Sequence, residues 1–209
     1  MKVVRRFAFL NFIFEKMKDI KIAIFASGRG SNAVNIVKYF AQQKNIQFII
    51  LSNKQDAFVL QEAKKLNVPS FTFNREAFYK TQKVKEYLLA QEVDYIVLAG
   101  FMWLVPSYLV GAFEGKIINI HPALLPKFGG KGMYGMNVHQ AVIESGDKES
   151  GITIHFVNKQ YDEGQIILQA KCAVDLGDTA EILAQKIHQL EQTHFPEVIE
   201  STIDKINGK

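Results

Sequence analysis

Apolar residues recur along this chain in two alternating rhythms. Short unbroken runs, KIAIFA at 21–26, FIILSN at 48–53, DYIVLAG at 94–100 and KIINIH at 116–121, are rich in β-branched residues. Such runs read as buried strands, and SFTF at 70–73 adds a shorter one. Between the runs, apolar positions fall three or four residues apart. Val34, Val37 and Ala41, with Ile36 and Phe40 beside them, predict one helix; Val59, Ala63 and Leu66 predict a second within 56–67. Residues 74–91 predict a third, continuous helix with Asn74 as its N-cap. Strands that are apolar throughout and alternate with helices imply a parallel sheet covered on both faces.

After residue 121 the rhythm changes. GITIHFVN at 151–158 and QIILQAKCAV at 165–174 are separated only by KQYDEG, too little chain for a crossover, so they predict an antiparallel pair. A long helical pattern from Thr179 to Ile206 follows, with Pro196 expected to kink or split it. The fold class expected is single-domain α/β: a Rossmann-like, mostly parallel sheet with helices on both faces, then an antiparallel strand pair and a long C-terminal helix. Residues 1–20 read as an N-terminal extension and 21–209 as the domain, with no internal repeat or linker.

Composition narrows the classes. At 209 residues and 48% hydrophobic, the chain can bury a substantial core. Its net charge of +4 is scattered rather than gathered on one face, so no nucleic-acid partner is expected, while an anionic small substrate is compatible. Cys172 is alone, which excludes an intrachain disulfide and suits a reducing, cytoplasmic setting. It also excludes a Cys-based metal site; His139, His188 and His194 lack a ligand spacing, and no metal is expected. No apolar run approaches the roughly 20 residues of a membrane span. The opening MKVVRRFAFLNFIF has a basic start and an apolar patch, but Asn11 interrupts it and no small-residue cleavage site follows. Met17 could serve as the start.

In open parallel sheets ligands bind at the carboxyl ends of the strands. At the first exit stands SGRGSN, residues 27–32, where Gly28, Gly30 and Ala33 satisfy a loose G-x-G-x-x-A pattern. The second strand ends in LSNK, without the acidic residue a dinucleotide ribose needs, which argues against a nucleotide-binding oxidoreductase or sensor. Outward N–H groups with Ser31 and Asn32 at a helix start suit a single phosphate; the structural alternative is a tight turn whose Asn32 only caps the helix. At the fifth exit, Asn119 and His121 point to one side of the sheet. Together they could polarise a carbonyl and stabilise the oxyanion formed when a nucleophile attacks it. A carboxylate would assist, and Asp162, Glu163 and Asp147 are the candidates that spacing leaves open. His155, between Ile154 and Phe156, reads as a satisfied core histidine that could buttress the site.

FASGRGSN, LAGFMWLV, INIHPALLPKF, GITIHFVNKQYDEGQII and LEQTHFP occur in this order over residues 21–196. Together they resemble the phosphoribosylglycinamide formyltransferase family, folate-dependent enzymes of purine synthesis. The Asn-x-His-Pro-x-Leu-Leu-Pro segment with the later Asp-x-Gly turn is shared by folate-dependent formyl transferases generally. The resemblance implies that Asn119, His121 and Asp162 form a catalytic trio, Asp162 holding His121 cationic while an amine attacks the formyl carbon of 10-formyltetrahydrofolate. It implies that Gly30, Ser31, Asn32, His188 and Glu191 hold the phosphoribosylglycinamide. Arg75, Met102, Trp103, Leu104, Val105, Asn119, Asn158, Lys159, Gln160, Tyr161 and Asp162 would contact the folate. Residues 21–121 would then be the phosphate-binding half and 122–209 the folate and catalytic half of a monomer or homodimer. Asn119 and His121 are expected to bond to the formyl oxygen in transit and to water otherwise. A formyltetrahydrofolate hydrolase using the same trio would carry an N-terminal regulatory domain, which twenty residues cannot form. Methionyl-tRNA formyltransferase would add a C-terminal tRNA-binding domain that this chain lacks room for.

Two departures from the family pattern matter. Residues 129–138, GGKGMYGMNV, replace a shorter loop and carry four glycines. They fit either a mobile lid or a tolerated insertion. Trp103 stands where some relatives carry a charged residue; the contact there is expected through the main chain, with little effect on activity.

Overall fold

A computed structural model describes residues 19–208. The expected extension therefore lies outside the described residues except for its last two. Of those, Ile20 belongs to the first strand and to the core, so the domain begins one residue earlier than its pattern suggests.

The chain alternates β1 (Ile20–Phe25), α1 (Ser31–Tyr39), β2 (Ile46–Ser52), α2 (Phe58–Lys65) and β3 (Ser70–Thr72). It continues through α3 (Arg75–Tyr79), α4 (Lys83–Ala90), β4 (Tyr95–Leu98), α5 (Ser107–Ala112) and β5 (Ile117–His121). The second part adds α6 (Met136–Ser145), β6 (Glu149–Phe156), β7 (Ile166–Ala173) and α7 (Ala180–Ile206). One seven-stranded sheet results, in the order β3-β2-β1-β4-β5-β6-β7. The first five strands pair in parallel; β6 and β7 pair antiparallel, as the short connection between them requires.

Alternation along the strands builds two cores. Ile22, Ile24, Val97, Ile118 and Ile120 face Ile36, Phe40, Leu183, Ile187 and Phe195 from α1 and α7. Ala23, Phe25, Ile96, Leu98 and Ile117 face Phe78, Val84, Leu88 and Leu109 on the other side. Each such large side chain contributes about 1.5–3 kcal/mol when fully buried. Tilted and edge-on pairs among Phe25, Phe73, Phe78 and Phe101 fill the second core beneath the exits of β3 and β4.

The single helix expected over 74–91 is two. Asn74 caps α3 as anticipated, accepting from Ala77 N–H at 2.8 Å. However, Phe78 and Val84 both enter the same core although six residues apart, a spacing that a continuous helix places on different faces. The chain re-phases between them, with Gln82 at φ 55. Helices α5 and α6 carried no pattern strong enough to predict. Residues 136–138 form the first turn of α6, so the glycine-rich insertion contributes only 129–135 to irregular backbone.

Helix α7 runs through Pro196 unsplit. Proline removes the N–H that would bond the Gln192 carbonyl, four residues back. Asn35 Nδ2 from α1 donates to that carbonyl instead, at 2.8 Å. Asn35→Leu should therefore lower stability by about 1 kcal/mol in urea denaturation. In a Pro196→Ala background, where the backbone N–H returns, the same change should cost less than half as much.

Candidate active site

Antiparallel register at the end of β5 assembles the polar cluster. Asn119 lies directly opposite His155 on β6, and Asn119 Nδ2 donates to His155 Nε2 at 3.0 Å. His121, two residues on, is 4% exposed. The β6–β7 connection folds back so that Asp162 Oδ2 stands 3.6 Å from His121 Nδ1 and its Oδ1 3.7 Å from His155 Nε2. That return needs Asp162 at φ 55 and a glycine at 164, where a Cβ would lie 1.6 Å from the Phe156 carbonyl oxygen. The glycine of the Asp-x-Gly pattern is thus a steric requirement. Gly130 N–H donates to Asp162 Oδ2 at 2.9 Å, tying the insertion to the cluster. Of the other carboxylates that spacing left open, Asp147 pairs with Lys127 at 2.7 Å and Glu163 is exposed.

Hydrogen-bond partners fix the ring states. His155 Nδ1–H donates to the Phe156 carbonyl at 2.8 Å, which leaves Nε2 as the acceptor for Asn119. Burial pushes the His155 pKa down, consistent with a neutral ring. His121 Nε2–H donates to the Phe128 carbonyl at 2.8 Å, so its Nδ1 faces Asp162. Asn119 and His121 each have one bond to a protein group, His155 Nε2 and the Phe128 carbonyl respectively. His155, read as a core histidine, is 2% exposed and its Nε2 accepts from Asn119 with the Asp162 carboxylate 3.7 Å away.

A second polar group forms where α1 meets α7. Gly30 opens α1 at φ 78, and a Cβ there would lie 2.3 Å from Val59 Cγ2. Asn32 does not cap the helix. Its Nδ2 donates to Glu191 Oε2 at 3.0 Å, and its Oδ1 accepts from Gln192 Nε2 at 2.7 Å. His188 Nδ1 lies 3.5 Å from Glu191 Oε2, which raises the His188 pKa. The first N–H groups of α1 therefore lack a side-chain cap, and Ser31 and Arg29 line a cleft of about 710 Å³ with Val34, Phe58, Glu62 and Gln192. Gln192 and Asn35 were missed in the sequence: Asn35 falls in no motif, and Gln192 lies within LEQTHFP without being singled out there.

The remaining predicted residues frame the exits of β3, β4 and β6. Arg75 lies over the rings of Tyr79 and Trp103, 5.2 and 5.7 Å from their centroids, and Tyr79 O–H donates to the Leu104 carbonyl at 2.9 Å. Stacking holds the guanidinium face and leaves its N–H edges for an anion. Met102 is 43% and Tyr161 39% exposed, while Val105 is buried. Asn158 Oδ1 accepts from Gln160 N–H at 2.8 Å, shaping the turn that carries exposed Lys159 and Tyr161. Ser27 joins the two regions: its Oγ accepts from Met102 N–H at 3.1 Å. Among the described residues no three His, Cys, Asp or Glu side chains stand together to hold a metal, and no helix is long and apolar enough to cross a membrane.

The model of the formyl transferase family matches residues 20–199, and the chain belongs to that family, which implies a folate-type formyl donor. It is 41% identical over 186 residues to the chloroplastic phosphoribosylglycinamide formyltransferase of Arabidopsis thaliana, covering 86% of this chain and 64% of the plant protein. It therefore spans just under two thirds of that relative's length. The Bacillus subtilis phosphoribosylglycinamide formyltransferase is 38% identical over 191 residues, covering 88% and 94% of the two chains. The crystal structure of phosphoribosylglycinamide formyltransferase from Anaplasma phagocytophilum superposes with a TM-score of 0.79 at 34% identity, over 87% of this chain and 86% of that one.

The buried rings carry a pH signature. Burial lowers the pKa of both His139 and His155, so the unfolded chain takes up protons that the native state does not as pH falls below about 6.5. Stability is full above that value and is lost as pH falls toward the native pKa, by up to about 1.4 kcal/mol per pH unit for each ring. His188, raised by Glu191, works in the opposite sense but is about half exposed and correspondingly weak. The urea midpoint should fall between pH 7.5 and 5.5, and His155→Gln should flatten that slope.

Proposed function

We propose that the protein transfers the formyl group of 10-formyltetrahydrofolate to the amine of phosphoribosylglycinamide, a step of purine synthesis carried out in the cytoplasm. The observation that carries the reading is the β5–β6 register, which sets Asn119 against His155 and brings Asp162 back to His121. The named relatives support the choice of acceptor.

Each residue group has a place in this reading. Gly30, Ser31 and Asn32 receive the phosphate at the start of α1. Glu191, with His188 beside it, accepts from the ribose hydroxyls. Arg75 takes a carboxylate of the folate's glutamyl tail, and Met102 to Val105 with Asn158 to Tyr161 enclose its rings. Residues up to 121 thus supply the phosphate site, part of the folate site and two of the catalytic groups, and those beyond it the rest of the folate and catalytic groups, with α7 reaching back to the acceptor.

At the centre, Asn119 Nδ2 keeps one hydrogen free beyond its bond to His155 and offers it to the formyl oxygen. As the amine attacks, negative charge gathers on that oxygen, and Asn119 and His121 stabilise it. Asp162 Oδ2 stands 3.6 Å from the Nδ1 side of the His121 ring and holds its orientation. Water takes the proton the amine loses. His121 gives its own to the folate nitrogen as the bond between that nitrogen and the formyl carbon breaks and the formyl carbonyl re-forms, and the same water returns a proton to His121. The Phe128 carbonyl, which holds His121 Nε2, gives way to the formyl oxygen. This gives residues 128–135 a reason to move.

Formyl-folate consumption by the purified protein should depend on added phosphoribosylglycinamide and yield the formylated ribonucleotide in equal amount. Release of formate at the same rate without the acceptor would favour a hydrolase instead. Asn119→Ala should lower kcat by about 10²–10³ while the KM for either substrate moves much less.

A further inference from the structure

His139, on the buried side of α6, has no role in the reading above. It is 6% exposed, its Nδ1 is sealed from solvent, and neither ring nitrogen has a hydrogen-bond partner among the described residues. A partnerless imidazole is a costly way to fill an interior, where an apolar side chain of the same size would serve. Other sealed polar atoms are Asn53 Oδ1 and Ser150 Oγ, but Asn53 is only half-buried and Ser150 sits on β6 below the site.

The position of His139 separates it from these. Helix α6 follows directly on the segment whose Phe128 carbonyl and Gly130 N–H hold His121 and Asp162. It packs on α7, which carries His188 and Glu191. Glu191 and His121 both act on the ring electrostatically, the first favouring its charge and the second opposing it. Through α7 on one side and the segment that follows β5 on the other, the ring thus belongs to the part of the fold that carries the group assigned to the ribose and the group assigned to the transferred carbon. Burial is the larger influence and keeps the ring neutral, with one N–H and one lone pair. A sealed lone pair is less costly than a sealed N–H. The hydrogen accordingly belongs on Nε2, the nitrogen that is not sealed.

An acceptor whose phosphate lies at Gly30–Asn32, whose ribose lies at Glu191 and whose amine meets His121 has one polar unit between the last two. That unit is its amide, and the amide oxygen needs a donor. We propose that His139 is an acceptor-recognition residue whose Nε2–H donates to the amide carbonyl oxygen of the glycinamide portion. The assignment rests on the acceptor reading given above.

Steady-state kinetics of the intact protein test it. His139→Leu should raise the KM for phosphoribosylglycinamide about tenfold, the effect of one lost hydrogen bond, with kcat and the folate KM within twofold of wild type. An acceptor analogue with CH2 in place of the amide carbonyl should bind wild type about tenfold more weakly, by calorimetry, and the Leu variant no more weakly than the natural acceptor does. Should the Leu variant not fold, two amide variants decide. His139→Gln reaches the Nε2 position and should keep the acceptor KM near wild type, whereas His139→Asn reaches only the Nδ1 position and should not. An unmoved acceptor KM in the Leu variant, equal discrimination against the analogue by wild type and variant, or equal KM values for Gln and Asn would each overturn the assignment. Failure of the wild type to formylate phosphoribosylglycinamide at all would instead overturn the acceptor reading.

Discussion

A carboxylate with a side chain only 12% exposed has to be provided for, and much of the second half of this fold is arranged around that need. Asp162 accepts the Gly130 N–H and faces two imidazoles, one from β5 and one from β6. Those rings are anchored in turn by the backbone carbonyls of Phe128 and Phe156, and His155 fixes the Asn119 amide. The antiparallel pairing of β6 on the edge of a parallel sheet makes this possible. A further parallel strand would have carried residue 155 away from Asn119 rather than setting it opposite.

The two ends of the candidate site are coupled through α7 and the loop after β4. Pro196 frees a carbonyl that Asn35 takes up, while Glu191 and Gln192 hold Asn32 from the same stretch of helix. Ser27 binds the Met102 amide, so the glycine turn and the folate-facing loop share a hydrogen bond. The start of α1, helix α7 and the loop after β4 are thereby fixed relative to one another by side chains from well-separated parts of the sequence. Holding reacting groups in register is a large part of what a transferase can contribute.

Much of this was readable before any coordinates. The parallel sheet, the late strand pair and the Asn119–His121 exit follow from apolar runs and from where they stop. Periodicity failed where tertiary packing set the phase: Phe78 and Val84 look like one helix until both are required to enter the same core. The long-range partners were less accessible. Nothing in TIHFV distinguishes a core histidine from one paired across a strand, and the choice of Asp162 over Asp147 and Glu163 needed the family resemblance. Asn35 and Gln192 are invisible as a pattern because their value lies in a carbonyl that proline leaves unpaired.

The central claim is that the charge of Asp162, and not merely its shape, supports formyl transfer by His121. Single-turnover formyl transfer by Asp162→Asn, which keeps the size and removes the charge, tests it most directly. The account predicts a rate at least about a hundredfold below wild type, with the folate dissociation constant within a few-fold. An unchanged transfer rate in that variant would contradict it.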